Sequence, residues 1–564
     1  MGFKTAAPVA GETWRRPLLQ LISRPGAVLA WRAAIVGFFL ILVLLPTLYV
    51  LGFVVTGLGA IESWVASNPG EVGRIGPAIS LSFGVALTVA AIDLAMGLPL
   101  AWLLVRREFR GKDWFNTIVD SPLAVTTAGL GFSVVLFWGI PSGLSQVPPG
   151  SLSLTANPFL ILMFLHLTTT FPYMVRSLAA ILEEIDIEYE NAARAAGASR
   201  LTAARTITLP MFRAGMATGL MLVLAKALSD TGGAFTALTL IDPAHERLNG
   251  TALIQFWKSN PAIPREALAL VSALMIALSL VLLVALKYVA LRVHLPLKRV
   301  WPIPERRLSV GVAPRARDLG ALTFLGFFIL LPSFFFLTFV FVAQPSQTLP
   351  WEIFWASVGN SFLIAGVATA IDLATGIPLA ILIARGRIPF VSKALDALVN
   401  VPYIVPSAAL GISLSLFWGA QRTIVPSDLV LVTLAHVAFT FPFVVRNVVG
   451  ALEQLDPSPE ETARTLGARP VQVFRRVLFP AIRPAILAGS IMAFTRSVGE
   501  TGATVSVSPT VQTIPVFIVN LITNPNPAQR DYYGAALAQI ILLVVSFAAI
   551  LGMRFAVRRR ARHG

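Results

Sequence analysis

The chain has 564 residues, of which 56% are hydrophobic and only 13% charged, with a mean hydropathy of +0.77; this leaves no room for a soluble domain and marks a polytopic membrane protein. The net charge of +16 does not indicate nucleic acid, because the basic residues sit between apolar spans and form no patch or stripe that could track phosphates. Cysteine is absent, which excludes a disulfide framework, a thiolate metal site and a thiol nucleophile.

A helix needs about 20 apolar residues to cross the hydrocarbon core. Stretches of that kind begin near Ala33, Leu81, Ile118, Pro158, Ala214, Ala267, Leu319, Ser357, Ala397, Leu429, Ala485 and Gly534, which predicts twelve membrane helices. The first, from Ala33 to Thr56, is too long and too far from the N-terminus for a cleavable signal peptide. Lys and Arg in the short connections set the orientation. They cluster at Lys4 to Arg32, at Arg106 to Lys112, at Arg194 to Arg213, at Arg292 to Arg317 and at Arg558 to Arg562, whereas the stretch from Pro141 to Pro158 carries no charge. Both termini are therefore expected in the cytoplasm.

The chain repeats itself. AIDLAMGLPLAWLL from Ala91 returns as AIDLATGIPLAILI from Ala370, GFSVVLFWG from Gly131 as GISLSLFWG from Gly411, and HLTTTFPYMVR from His166 as HVAFTFPFVVR from His436. An even number of helices per copy makes the two halves parallel, with a pathway expected between them. The sequence thus predicts an all-α membrane protein of about twelve helices in two six-helix repeats. The divisions are 1–295, a Pro- and Arg-rich cytoplasmic linker over 296–318, and 319–564.

The cytoplasmic connection between the fourth and fifth helices is the most informative segment of each half. One copy reads ENAARAAGASRLTAARTITLP from Glu190 to Pro210 and the other EETARTLGARPVQVFRRVLFP from Glu460 to Pro480, aligned without a gap. Each begins with acid at a helix start, where the macrodipole favours negative charge. Small residues follow, then Gly197 or Gly467, which permits a sharp break, and a basic amphipathic stretch returns to the membrane. The product is a short helix with a packable surface on the cytoplasmic face.

These segments resemble the EAA loop of bacterial ABC importer permeases, which forms the coupling helix gripped by a nucleotide-binding subunit. The matching residues are Ala192, Ala193 and Gly197 in the first copy, with Glu190 beside Asn191 where the pattern has Glu, and Glu461, Ala463 and Gly467 in the second, where Thr462 replaces an alanine. Pro210 and Pro480 close the two loops. The resemblance covers nearly the whole chain. It implies the type I importer permease fold in a bacterial or archaeal inner membrane, two copies of a cytoplasmic ABC ATPase as partners, and an external solute-binding protein. The chain itself would be no enzyme and bind no cofactor. It carries no GxxxxGK[ST] loop, so ATP and Mg²⁺ are expected on the partner ATPase.

AWLLVRREFRGKDWFNTIVDSPLAV from Ala101 is similar to sulfate and molybdate permeases, and RSVGETGAT from Arg496 resembles molybdate, sulfate and phosphate permeases. Those likenesses favour an inorganic oxyanion, while two fused halves are more typical of ferric-iron and thiamine importers. Lys226 and Asp230 stand four apart, as do Arg496 and Glu500 270 residues on, which puts each pair on one helix face. Ionisable groups at membrane depth are costly and usually face a cavity or a partner. One reading is an ion pair that neutralises charge between helices. The other places Lys226, Ser229, Asp230, Thr231, Arg496, Glu500 and Thr501 at a gate, with Gly232, Gly233, Gly499 and Gly502 allowing close backbone approach. Asp93, Asp372, His166 and His436 read as interhelical packing contacts. An ion-coupled secondary transporter is the rival class, since twelve helices in two parallel halves fit that architecture too.

Overall fold

A chain this apolar must satisfy its backbone polar groups within each segment, and helices do so without partners. The computed structural model describes residues 25–139, 157–292, 300–342, 349–386, 388–419, 425, 427–508, 510–524, 526 and 529–562, and regular structure among them is helical. The basic residues up to Arg24, the uncharged loop from Pro141, and Lys298 and Arg299 of the linker lie outside this set.

Nine described helices are long and apolar enough to cross a bilayer, or up to twelve if each bent pair counts as one span. In the first half these are α1 (Leu29–Thr56), α2 (Pro69–Arg106), α3 (Lys112–Ala124 with Thr127–Trp138), α4 (Pro158–Glu184), α5 (Arg200–Phe212 with Met216–Ser229) and α6 (Arg265–Leu286). The second half has α7 (Val312–Phe341), α8 (Trp351–Arg385), α9 (Pro389–Ile404 with Ser407–Gly419), α10 (Asp428–Gln454), α11 (Pro470–Val498) and α12 (Tyr532–Ala549). At 1.5 Å per residue the 38 residues of α2 reach about 57 Å, well beyond a hydrocarbon core of about 30 Å. The excess carries Arg106 and, on α8, Arg385 out to the loops.

The single spans expected at Ile118 and Ala397 are not straight. They bend by 100° and 105° between their two parts. Local chemistry explains both. Val125 and Thr126 are extended, and the Thr126 hydroxyl caps the next helix by accepting from the Gly129 N–H at 3.0 Å. Val405, which precedes Pro406, is extended as a residue before proline must be.

A wider helical turn precedes a proline four times. The π-turns Phe39–Leu44, Ala204–Thr208, Leu325–Leu330 and Phe474–Leu478 each end two residues before Pro46, Pro210, Pro332 and Pro480. A proline ring clashes with the carbonyl four residues back, and the extra residue relieves that clash.

Two of these prolines mark where the halves interlock, because α1 packs against α9 and α7 against α3. The Ser413 hydroxyl donates to the Pro46 carbonyl at 2.6 Å and accepts from the Val50 N–H at 2.9 Å, so it inserts into the backbone ladder of α1. Ser133 does the same to α7, between the Pro332 carbonyl at 2.6 Å and the Phe336 N–H at 3.2 Å. Beside it Trp138 stacks on Phe164, with centroids 4.4 Å apart, and on Phe328 of α7. Each half therefore holds the first helix of the other, and the linker has to cross between them. It is helical over Pro302–Ser309 and then continues into α7 through Val312–Phe324.

Candidate functional site

The loop helices are Ile187–Ala195 and Ser458–Thr465. Asp186 caps the first by accepting from the Glu188 N–H at 2.9 Å. Both end in the same way. The Gly197 N–H donates to the Arg194 carbonyl and that of Ala198 to the Ala193 carbonyl, each at 3.0 Å; Gly467 and Ala468 repeat this on Arg464 and Ala463 at 2.9 Å. That closure requires a left-handed residue, and φ is +95° at Gly197 and +83° at Gly467. Ala192 is exposed and Ala193 and Ala463 half-buried, so the small face remains open to a partner.

Acidic residues anchor the helices to the membrane domain. Glu190 pairs with Arg106 Nε at the end of α2 at 3.2 Å and accepts from the Thr208 hydroxyl at 2.9 Å. Arg106 also donates to the Ile185 carbonyl at 2.8 Å. In the second half Arg385 at the end of α8 donates to Glu460 and to the Leu455 carbonyl, both at 3.0 Å. The geometric counterpart of Glu190 is thus Glu460, which is buried, while Glu461 beside it is exposed. The gapless alignment already paired Glu190 with Glu460.

Among the described residues the linker reaches the first loop and not the second. Glu305 accepts from the Thr202 hydroxyl at 2.5 Å and pairs with Arg205, whose guanidinium also lies over the Trp301 ring. Ser309 accepts from the Leu201 N–H at 3.0 Å. Burial pulls the Glu305 carboxyl up, but the hydrogen bonds from Thr202, the Trp301 N–H and Arg205, with the charge of Arg205, outweigh it and hold the group below the ordinary glutamate value.

The intramembrane charges are arranged differently from the expectation of two paired faces. Helix α5 ends at Ser229, so Asp230 is extended and lies beyond it; α11 ends at Val498, and Glu500 is likewise outside its helix. Arg496 still pairs with Glu500, which also accepts from the Ala503 N–H at 2.9 Å. Lys226 makes no such pair with Asp230 among the described residues. Asp230 turns toward His166, with Oδ2 3.8 Å from Nδ1.

Lys226 and Arg496 instead meet at a chamber between the halves. Its larger lobe holds about 180 Å³, roomy for several waters. Tyr173, Phe443, Lys226 and Arg496 line both lobes, with Pro122, Val125 and Leu130 on one side and Pro402, Val405 and Leu410 on the other. Lys226 is only 6% exposed, and Arg496 lies over the Phe439 ring at 5.1 Å.

Beyond the ends of α5 and α11 the two halves touch reciprocally. A Cβ on Gly232 would lie 2.5 Å from Thr501 Cβ, and one on Gly502 would strike Thr231. Only glycine permits that approach. Ser407 donates to the Ser229 carbonyl at 2.9 Å and meets Thr231 at 3.0 Å, so Ser229 and Thr231 lie at this contact with Thr501. Gly233 abuts Asp230 and Thr127, and Gly499 faces the backbone of Thr126.

Asp93 and Asp372 are buried, each accepting from a threonine, Thr170 at 2.6 Å and Thr440 at 2.5 Å, which ties α2 to α4 and α8 to α10. His436 bridges Ser497 at 2.7 Å and Thr504 at 2.9 Å. Sequence reasoning passed over Tyr173 and Tyr403, which line the chamber, and Ser133, Ser413, Gln255 and Gln539. Gln539 accepts from the Thr126 hydroxyl at 2.6 Å and Gln255 from that of Ser506 at 3.1 Å, again across the halves. Ser133 and Ser413 lay in the repeated GFSVVLFWG and GISLSLFWG, and Tyr173 stands where the other copy has Phe443; those were the available signals.

Two interlocked helical repeats, a chamber between them and paired loop helices at one end define a multi-pass membrane transport subunit. Residues 376–563 match the family model described as "Binding-protein-dependent transport system inner membrane component". The sulfate transport system permease protein CysT of Salmonella typhimurium is 34% identical over 229 residues, 36% of this chain and 82% of that protein. A probable sulfate transport system permease protein of Marchantia polymorpha is 30% identical over 40% of this chain and 82% of its own. The molybdenum transport system permease protein ModB of Mycobacterium bovis is 29% identical over 38% of this chain and 89% of its own. The chain belongs to this family, the permease subunits of ABC importers.

Proposed function

We propose that the chain is the pathway-forming subunit of an inorganic oxyanion importer, with two permease repeats over 1–295 and 319–564 joined by the linker over 296–318. The observation that carries the reading is the convergence of Lys226 and Arg496, from equivalent positions of the two halves, on one chamber wall. Arg496 is neutralised by Glu500 while Lys226 has no carboxylate in pairing distance among the described residues, so the chamber favours an anion. The sulfate and molybdenum permeases among its relatives support the same class.

Two copies of a cytoplasmic ATPase, which carry ATP and Mg²⁺, grip the helices built on Glu190, Ala192, Ala193 and Gly197 and on Glu461, Ala463 and Gly467. Glu460 anchors the second. The turns at Pro210 and Pro480 pass the motion into α5 and α11, whose far ends meet at Thr231 and Gly232 against Thr501 and Gly502. Parting that contact opens the chamber to a solute delivered by an external binding protein. In this orientation both termini face the cytoplasm of an inner membrane. The test is uptake into proteoliposomes with the partner ATPase and binding protein. ATP-dependent accumulation of sulfate or molybdate is expected, falling at least about tenfold in Lys226→Gln, the equivalent of about 1.4 kcal/mol. Accumulation without ATPase would instead favour an ion-coupled transporter.

A further inference from the structure

A cavity with a strongly charged wall lies away from the pathway, between the linker and the first coupling loop. It holds about 550 Å³ and is lined by six arginines, Arg106, Arg107, Arg194, Arg200, Arg205 and Arg317. Carboxylates pair with four of them among the described residues. Glu190 takes Arg106, Asp318 takes Arg107 and Arg317, and Glu305 takes Arg205. Arg194 and Arg200 have no ion-pair partner among the described residues.

Besides the arginines the wall carries Glu190, Asn191 and Ser309, and the remainder is apolar. Leu98, Trp102 and Leu209 come from the ends of α2 and α5, and Leu308 from the linker. Outside the cavity the linker exposes a run of large apolar side chains, among them Trp301, Ile303 at 70%, Val310 and Val312 at 77%, interleaved with Arg306, Arg307 and Arg315. That pattern suits a segment lying in the headgroup region, with rings and aliphatic chains down and guanidinium groups up. Basic pockets beside membrane helices on the cytoplasmic side are suited to acidic lipid heads.

We propose that this cavity binds one anionic phospholipid of the cytoplasmic leaflet. Its phosphate diester sits between Arg194 of the coupling helix and Arg200 at the start of α5, and its acyl chains run along Trp102 and Leu209. A free phosphate shares the head chemistry but leaves the apolar wall uncovered, which is why a lipid is the better occupant. Bound there, the lipid ties the first coupling helix to the linker through their common neighbours Arg205 and Glu305.

The full chain, purified and delipidated in detergent, is titrated with phosphatidylglycerol or phosphatidylcholine of identical acyl chains and read by native mass spectrometry. One phosphatidylglycerol is expected to be retained in preference to phosphatidylcholine. The doubly substituted Arg194→Gln, Arg200→Gln chain should lose about thirtyfold in that retention, from about a factor of five per arginine near an anionic surface. The Arg194→Lys, Arg200→Lys chain should keep most of it, which separates a charge effect from misfolding. Equal retention of the two lipids by the unsubstituted chain, or unchanged retention in the glutamine variant, overturns the proposal. So does one-for-one displacement of the lipid by millimolar inorganic phosphate, which would identify a free-phosphate site.

Discussion

The two loops around Gly197 and Gly467 share a backbone and differ in what surrounds it. Both helices close on a left-handed glycine, and both are anchored by a glutamate to an arginine at the end of the second long helix of their half. The first is also held from the side by the linker, through Glu305 and Ser309, and its tip presents Ala196. No such clamp reaches the second among the described residues, and its tip presents Leu466 at the equivalent position, 83% exposed. Near-identical local geometry can thus be set in unequal mechanical surroundings: one loop is braced and smooth, the other freer and with a hydrophobic knob to offer.

Breaking the shared anchor should have the largest effect. Glu460→Ala leaves Arg385 without its carboxylate, and losing one member of a buried pair costs about 3 kcal/mol or more, less here to the extent that the part-buried Arg385 keeps the Leu455 carbonyl. Coupled uptake should fall at least tens of times, and further than in Glu461→Ala, which removes an exposed charge with no such anchor within the chain. Equal losses in the two variants would show that the anchor has been misassigned.

The knob comes next. If Leu466 is buried by the ATPase, Leu466→Ala should weaken docking on the second loop by about 2 kcal/mol, the transfer value of a leucine side chain, while Ala196→Gly leaves docking nearly unchanged. Surface plasmon resonance of the reconstituted permease with the ATPase reads the difference. Equal affinities would remove the asymmetry at the tips.

Alanine at Gly197 or Gly467 should cost about 1 kcal/mol through left-handed strain, and a bulkier residue should uncouple ATP hydrolysis from uptake with membrane insertion intact. The stimulated ATPase rate compared with uptake checks this. Similar losses at the two positions would mean that the brace on the first loop does not compensate for a damaged turn.

The smallest effect belongs to the brace. Because the Glu305 carboxyl titrates below the ordinary glutamate value of about 4.3, its stabilisation is complete above that value and is lost as pH falls through the lower folded one. Hydrogen exchange over 302–309 should therefore be slower in the unsubstituted chain than in Glu305→Gln at neutral pH. The difference should vanish in acid, and its persistence there would assign the brace to contacts other than the ionised carboxylate.

The amino-acid order alone determined the membrane class, the duplication, the loop motif and the stations of Lys226 and Arg496, because hydropathy, charge asymmetry and repeats are written in consecutive residues. The bends of α3 and α9 were partly legible too, in the prolines and the capping threonine around positions 122–126 and 402–406. What only the tertiary structure decided involves partners hundreds of residues apart. Ser413 in the ladder at Pro46, Thr501 against Gly232, and Asp230 facing His166 while Lys226 faces the chamber are contacts of this kind. A hydroxyl or carboxylate satisfies whichever neighbour packing brings within 3 Å, and spacing along one helix cannot rank those neighbours. The same reason accounts for the unequal loops: their sequences align residue for residue, but the brace on the first comes from the linker, about 100 residues further along the chain.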